Sequence, residues 1–154
     1  MREIERLYRS HGAALLAYLR RAFAWCAVPE DLLQETFVQA LRRQDRLAEA
    51  ASPRAWLFGI ARHVGLTAAR RHHPAAPLEQ DQTAAELDPD IAAMREAIAT
   101  LPQLLRETLE LRLRAGLSYE EIAEALDIPL GTVRSRLHAA LVRLRESMGS
   151  DLQE

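Results

Sequence analysis

Lysine is missing from this chain of 154 residues: all 20 of its basic side chains are arginine. That is a bias of composition, and no mechanism is read into it. Aromatic residues make up only 5% and there are six glycines, which disfavours sheets and favours helices. The single cysteine, Cys26, excludes an internal disulfide; beside Trp25 in an apolar run it reads as a core thiol. No apolar run approaches the ~18 residues that suggest a membrane span, and no signal peptide opens the chain. A cytoplasmic protein without membrane insertion is expected. His72 and His73 are adjacent, while His11, His63 and His138 are scattered. With no His-x₃-His pair, a metal site is not expected. No nucleophile–base set and no phosphate-binding loop appears, so neither a cofactor nor catalysis is expected.

Net charge is small and charge of each sign is segregated along the chain. The net value is −2, unusual for a free-standing DNA binder. Residues 1–72 carry 12 Arg and 7 acidic residues, residues 73–130 carry 4 and 12, and residues 131–154 carry 4 and 3. Two positive ends flank an acidic middle, which is expected to fold back onto the basic surfaces through its linker.

What is present is most informative in 117–146, "LSYEEIAEALDIPLGTVRSRLHAALVRLRE". Ser118 and Glu121 form a capping box, and Gly116 ends the preceding helix. Ile122, Ala123 and Leu126 make the inner face of a short helix, broken at Asp127-Ile128-Pro129. A second helix is expected from about Gly131. Val133, Leu137, Ala140, Leu141 and Leu144 form its apolar stripe, and Thr132, Arg134, Ser135, Arg136, His138 and Arg143 form its outer face. This is a helix-turn-helix pattern, whose second helix would place its first residues in the major groove. Arginine can grip guanine with both arms of its fork; Thr132 and Ser135 can take phosphates or bases. Residues 101–146 resemble region four of bacterial sigma factors of the extracytoplasmic-function group. LuxR-type regulators end in a related motif, so the N-terminal half must decide.

Ile4, Leu7, Tyr8, Leu15, Tyr18, Leu19, Ala22 and Phe23 recur at helical spacing over residues 2 to about 25. Pro29, Glu30 and Asp31 open a second helix to about Arg43, with Leu33, Phe37, Ala40 and Leu41 inward. Within it, "PEDLLQETFVQAL" resembles region 2.2 of sigma factors: Asp31, Leu32, Gln34, Glu35 and Phe37 stand where that pattern wants them. In the family this helix docks on the clamp helices of the polymerase beta-prime subunit. LuxR-type regulators carry no such segment, which settles the choice. Residues 44–51 read as a polar, alanine-rich connection. The family's corresponding loop receives a flipped base, at a cost of a few kcal/mol; many relatives have an aromatic there, and this chain has none.

Ser52 and Pro53 start a third helix running to about His72. Leu57, Ile60, Ala61, Val64 and Ala68 are expected inward. From Arg54 to Arg71 there are four arginines and no carboxylate. With Trp56 and Phe58 this suits phosphate contact and base stacking on a single strand. "SPRAWLFGIARHVGLTAARRH" resembles regions 2.3 and 2.4, which bind and melt the minus-ten element; the resemblance assigns Arg54, Trp56, Arg62, His63, Arg70 and Arg71 to that contact. His63 departs from the family's usual Asn. Trp56 reads equally as half-buried core.

Residues 74–90 hold three prolines and five carboxylates with no basic residue, a flexible linker. At ~3.3 Å per residue they could span about 56 Å, more than a ~34 Å DNA turn. Beyond it, Ile91, Met94 and Ile98, then Leu104, Leu105, Leu109 and Leu111, are expected to build a core under the helix-turn-helix. The tail from Gly149 is expected to fray. The expected architecture is all-α: residues 1–73, a linker over 74–90, and residues 91–148. The resemblance implies promoter DNA and core RNA polymerase (clamp helices and beta flap) as partners, with an anti-sigma factor controlling access. Alternatives left open are a sigma-like adaptor, an anti-sigma decoy or a helix-turn-helix regulator without initiation activity, and, from a different class, a DNA-regulated enzyme.

Overall fold

The computed structural model describes residues 2–72 and 88–152. The described residues form seven α-helices and contain no strand: α1 Arg2–Phe23, α2 Pro29–Arg42, α3 Pro53–Arg71, α4 Pro89–Ala99, α5 Gln103–Leu113, α6 Tyr119–Leu126 and α7 Leu130–Leu152. The expected linker falls almost wholly outside the described residues.

The N-terminal domain packs α1, α2 and α3 against one another through Ile4, Leu15, Leu19, Leu33, Leu57 and Ile60. Pro29 opens α2; at Ser52, the side-chain oxygen accepts from the Ala55 N–H and caps α3. Gly65 permits the α1–α3 approach, because a Cβ there would stand 2.3 Å from the Phe23 ring. Cys26 is buried, as expected, and its thiol donates to the Phe23 carbonyl.

Several side chains depart from the periodic reading. Tyr8 and Leu41 are exposed, because each lies at the rim of its helix's buried face; Tyr8 meets Phe37 edge-on at 5.0 Å. Residues 44–49 are a run of 3₁₀ turns anchored by buried Leu47, where the polar composition suggested an irregular connection.

The C-terminal domain packs α4, α5 and α6 around α7. Asp88 accepts from the Asp90 N–H and caps α4. Ile98 is buried, while Ile91, Met94 and Leu104 are exposed. Leu109 and Leu111 are buried as well, so it is the later turns of α4 and α5 that join the core. Leu141 is exposed at the edge of its stripe, and α7 continues as helix through Gly149 to Leu152 instead of fraying.

The two domains are packed together. α3 lies along α6, and Gly59 makes the approach possible: a Cβ there would meet the Ala125 carbonyl at 3.3 Å.

Candidate nucleic-acid interface

The helix-turn-helix is α6 and α7. The Ser118 hydroxyl accepts from the Glu121 N–H at 3.1 Å and the Glu121 carboxylate accepts from the Ser118 N–H at 3.0 Å, so the capping box closes in both directions. Gly116, at φ +70°, ends the turn before it, a backbone region that favours glycine. Asp127 sits in the left-handed region at φ 54°, which a short polar side chain tolerates better than most. The Thr132 and Val133 N–H groups turn back onto the Pro129 carbonyl at 3.0 and 3.2 Å. Val133, Leu137, Ala140 and Leu144 lock α7 to the core. Arg134, Ser135 and His138 are left exposed, with Thr132 and Arg136 half-buried. Residues 132 to 138 cover ~9 Å of helix, and the Ser135 hydroxyl donates to the Gly131 carbonyl at 3.0 Å. Of the expected recognition residues, all five lie on this short accessible stretch.

The expected minus-ten residues fare differently. His63, Arg70 and Arg71 are exposed and Trp56 is half-buried. Phe58 is not available for base stacking: it is 2% exposed and meets Tyr18 edge-on at 5.5 Å, because its helix position faces α1. Arg54 and Arg62 are engaged by the C-terminal domain. The Arg54 Nε and Nη2 donate to the two Glu121 oxygens at 2.7 and 2.6 Å, and Nη2 also donates to the Gly116 carbonyl. The Ser52 hydroxyl donates to Glu121 at 2.6 Å and the Ser52 N–H to Glu124 at 3.2 Å. Arg62 pairs with Glu107. The Arg54 hydrogen bonds hold the Glu121 carboxyl well below the usual carboxylate range, against the effect of burial and with help from Ser52 and the Ser118 N–H. Glu121 therefore remains ionised at any ordinary pH.

The sequence singles out Glu121 only as a capping-box residue and does not point to Glu107 or Glu124. The signal that could have found them is the charge segregation: the acidic middle of the chain does meet a basic N-terminal surface, through α5 and α6. Whether its linker does so concerns residues outside the described ones.

On α2, Asp31, Gln34 and Glu35 are exposed, whereas Leu32 and Phe37 are buried at 6% and 8%. The first three can meet a partner directly; the other two set the helix against α1 and α3. Nearby, Arg20 pairs with Glu30 at 3.0 Å. Among the described residues no group of three His, Cys, Asp or Glu could hold a metal, and no helix is long and apolar enough to cross a membrane.

Comparison with known proteins gives a consistent result. Residues 7–74 match the model for sigma-70 region 2 and residues 91–144 the model for sigma-70 region 4. The sigma factor SigL of Mycobacterium tuberculosis, described as an ECF RNA polymerase sigma factor, is 33% identical, the match covering 90% of this chain and 85% of that protein. The RNA polymerase sigma factor YlaC of Bacillus subtilis is 31% identical, over 98% and 95%. Among solved structures, the sigma factor RpoE of Bartonella quintana, in complex with the anti-sigma factor NepR, is 24% identical with a TM-score of 0.74 over 98% of this chain and 99% of that one.

Proposed function

Because the chain belongs to the sigma-70 family and, within it, to the extracytoplasmic-function sigma factors that direct transcription initiation, we propose how its residues divide that work. Residues 1–73 bind core polymerase and the minus-ten element. Residues 91–148 bind the minus-thirty-five element, and 74–90 join the two. Asp31, Gln34 and Glu35 form the polymerase-facing surface of α2 on the beta-prime clamp helices, with Leu32 and Phe37 beneath. The C-terminal domain takes the beta flap. Thr132, Arg134, Ser135, Arg136 and His138 read or grip the upstream element; Arg54, Trp56, Arg62, His63, Arg70 and Arg71 serve the downstream one. The chain adds no catalytic chemistry of its own and works in the cytoplasm, where core polymerase makes the RNA. An anti-sigma factor is proposed as a further partner; the Bartonella RpoE, similar in fold, was solved with one.

The observation that carries this reading is the accessible stretch at the start of α7, held to the core by buried Val133 and Leu137, on a fold that also holds the acidic α2. The packed arrangement is the resting state. Arg54 and Arg62 cannot bind phosphate while Glu121 and Glu107 hold them, so the C-terminal domain must leave α3 before the minus-ten element is engaged.

Run-off transcription with core polymerase, followed by sequencing of RNA 5′ ends, tests the reading. Start sites sharing paired upstream elements are expected only when this protein is added. Failure to direct initiation from any genomic template, with core binding intact, would favour the sigma-like adaptor.

A further inference from the structure

Beside the α3–α6 seam, the domains leave a cleft of about 670 Å³ between the end of α1, the middle of α3 and the helices α4 and α5. That is within the range of small-molecule sites. Six arginines line it against two carboxylates, Glu107 and Glu110. Some of this charge is answered: Arg62 pairs with Glu107, Arg20 with Glu30, and Arg106 donates to the Ala99 carbonyl and to Gln103. The guanidinium groups of Arg21, Arg95 and Arg114 have no ion pair or hydrogen bond among the described residues.

One of these three comes from the N-terminal domain and two from the C-terminal domain. Arg21 ends α1, Arg95 lies on α4, and Arg114 follows α5. Packing the domains together brings like charges together. Burial and then repulsion from Arg114 and Arg95 lower the Arg21 pKa, with Glu110 only partly opposing them. The seam thus has two electrical characters: opposite charges meet where Arg54 finds Glu121, and like charges face each other across the cleft.

We propose that this cleft binds a compact polyphosphate anion, which neutralises the arginines of both domains and holds them together. The arginine fork matches phosphate oxygens two at a time, and three unanswered forks suit a small ligand of high charge density. A duplex presents its phosphates on a convex surface and cannot enter between the domains. Since the cleft exists only while the domains are packed, binding and closure are linked: a ligand of the closed form shifts the population toward it. The regulatory consequence rests on the sigma-factor reading. Closure keeps Arg54 and Arg62 on their carboxylates, so the ligand would oppose promoter engagement.

The full chain is titrated with sodium tripolyphosphate at constant ionic strength, by calorimetry and by the fluorescence of Trp25, which lines the cleft. Small-angle scattering follows closure in parallel. Saturable binding is expected, with a change in Trp25 emission lost in Trp25→Phe and a radius of gyration that stays at the packed value in conditions where the unliganded chain expands. Arg21→Gln with Arg114→Gln should weaken binding at least tenfold. Gly59→Leu, which wedges α3 from α6 without altering charge, should weaken it as well. Circular dichroism checks folding; if the double variant does not fold, exposed Arg95→Gln replaces it with the same expectation. Absence of saturable binding would overturn the proposal, as would equal affinity in the arginine variants. So would oligo-dT or poly-glutamate of matched charge displacing tripolyphosphate at lower concentration, with the same Trp25 change and the same loss in the arginine variants, which would identify the cleft as a nucleic-acid or acidic-peptide surface. None of these readouts requires transcription, so failure of the sigma-factor assignment in run-off assays is separable from failure here.

Discussion

Glu121 holds two positions at once. One oxygen closes the capping box of α6; the same carboxylate anchors Arg54 of the other domain. Glutamine can serve a capping box but cannot balance a guanidinium. Glu121→Gln is therefore expected to leave α6 helical and to release Arg54. The pair is partly exposed, 33% and 16% for the two side chains, so screening limits its worth to about 1 kcal/mol, roughly fivefold. The free variant should bind a single-stranded minus-ten oligonucleotide about that much more tightly by fluorescence anisotropy; an unchanged affinity would show that Arg54 was not withheld. His11 lies close to the same pair, and burial, then Arg54, lower its pKa from 6.5. A lowered histidine pKa means the folded state resists protonation. Its contribution is whole above pH 6.5 and declines as pH falls toward the folded value. Glu121, with its depressed pKa, contributes throughout that window. Thermal melts should show stability falling below pH 6.5, and His11→Gln should flatten the slope; an identical slope would remove His11 from the account.

At the scale of the helix, α7 presents Arg134 and Arg136 on one turn above a stripe of Val133, Leu137 and Ala140. Replacing either arginine by alanine should cost ~1–3 kcal/mol of upstream-element binding if it reads a base, with relaxed preference at one pair. A phosphate contact would instead weaken all sequences alike. Holoenzyme footprinting across promoter variants distinguishes them, and normal binding by the double variant would sink the assignment. Helices of this kind were legible in the sequence because caps and stripes are local: Ser118 with Glu121, Ser52 with Pro53, and the heptad-like spacing of α7 all appear where expected. Phe58 and the arginines of α3 were not legible in the same way. Period alone puts Phe58 on a basic side and leaves Arg54 facing solvent, whereas the fate of both is decided by other elements, α1 covering one and α6 pairing the other. The exposed Ile91, Met94 and Leu104 were not legible for a related reason, since period fixes the face of a helix and not which of its turns a neighbour covers.

For the molecule as a whole, the proposed reading sets downstream-element binding against domain packing for the same two arginines, Arg54 and Arg62, and leaves α2 free of that competition. Asp31 and Glu35 are exposed on α2, away from the seam, so reversing either to Arg should cost little stability. Pull-down of core polymerase by Asp31→Arg and Glu35→Arg, with circular dichroism as control, is expected to fall while the folded signal persists; full retention by both would refute docking through α2. The packing has a further consequence for timing. The start of α7 is uncovered while the domains are together, whereas Arg54 and Arg62 of α3 are not. If α7 reads the upstream element and α3 the downstream one, as proposed, a free molecule samples duplex while blind to the downstream element, and promoter search and strand capture become successive events whose order is imposed by which helix is already undressed.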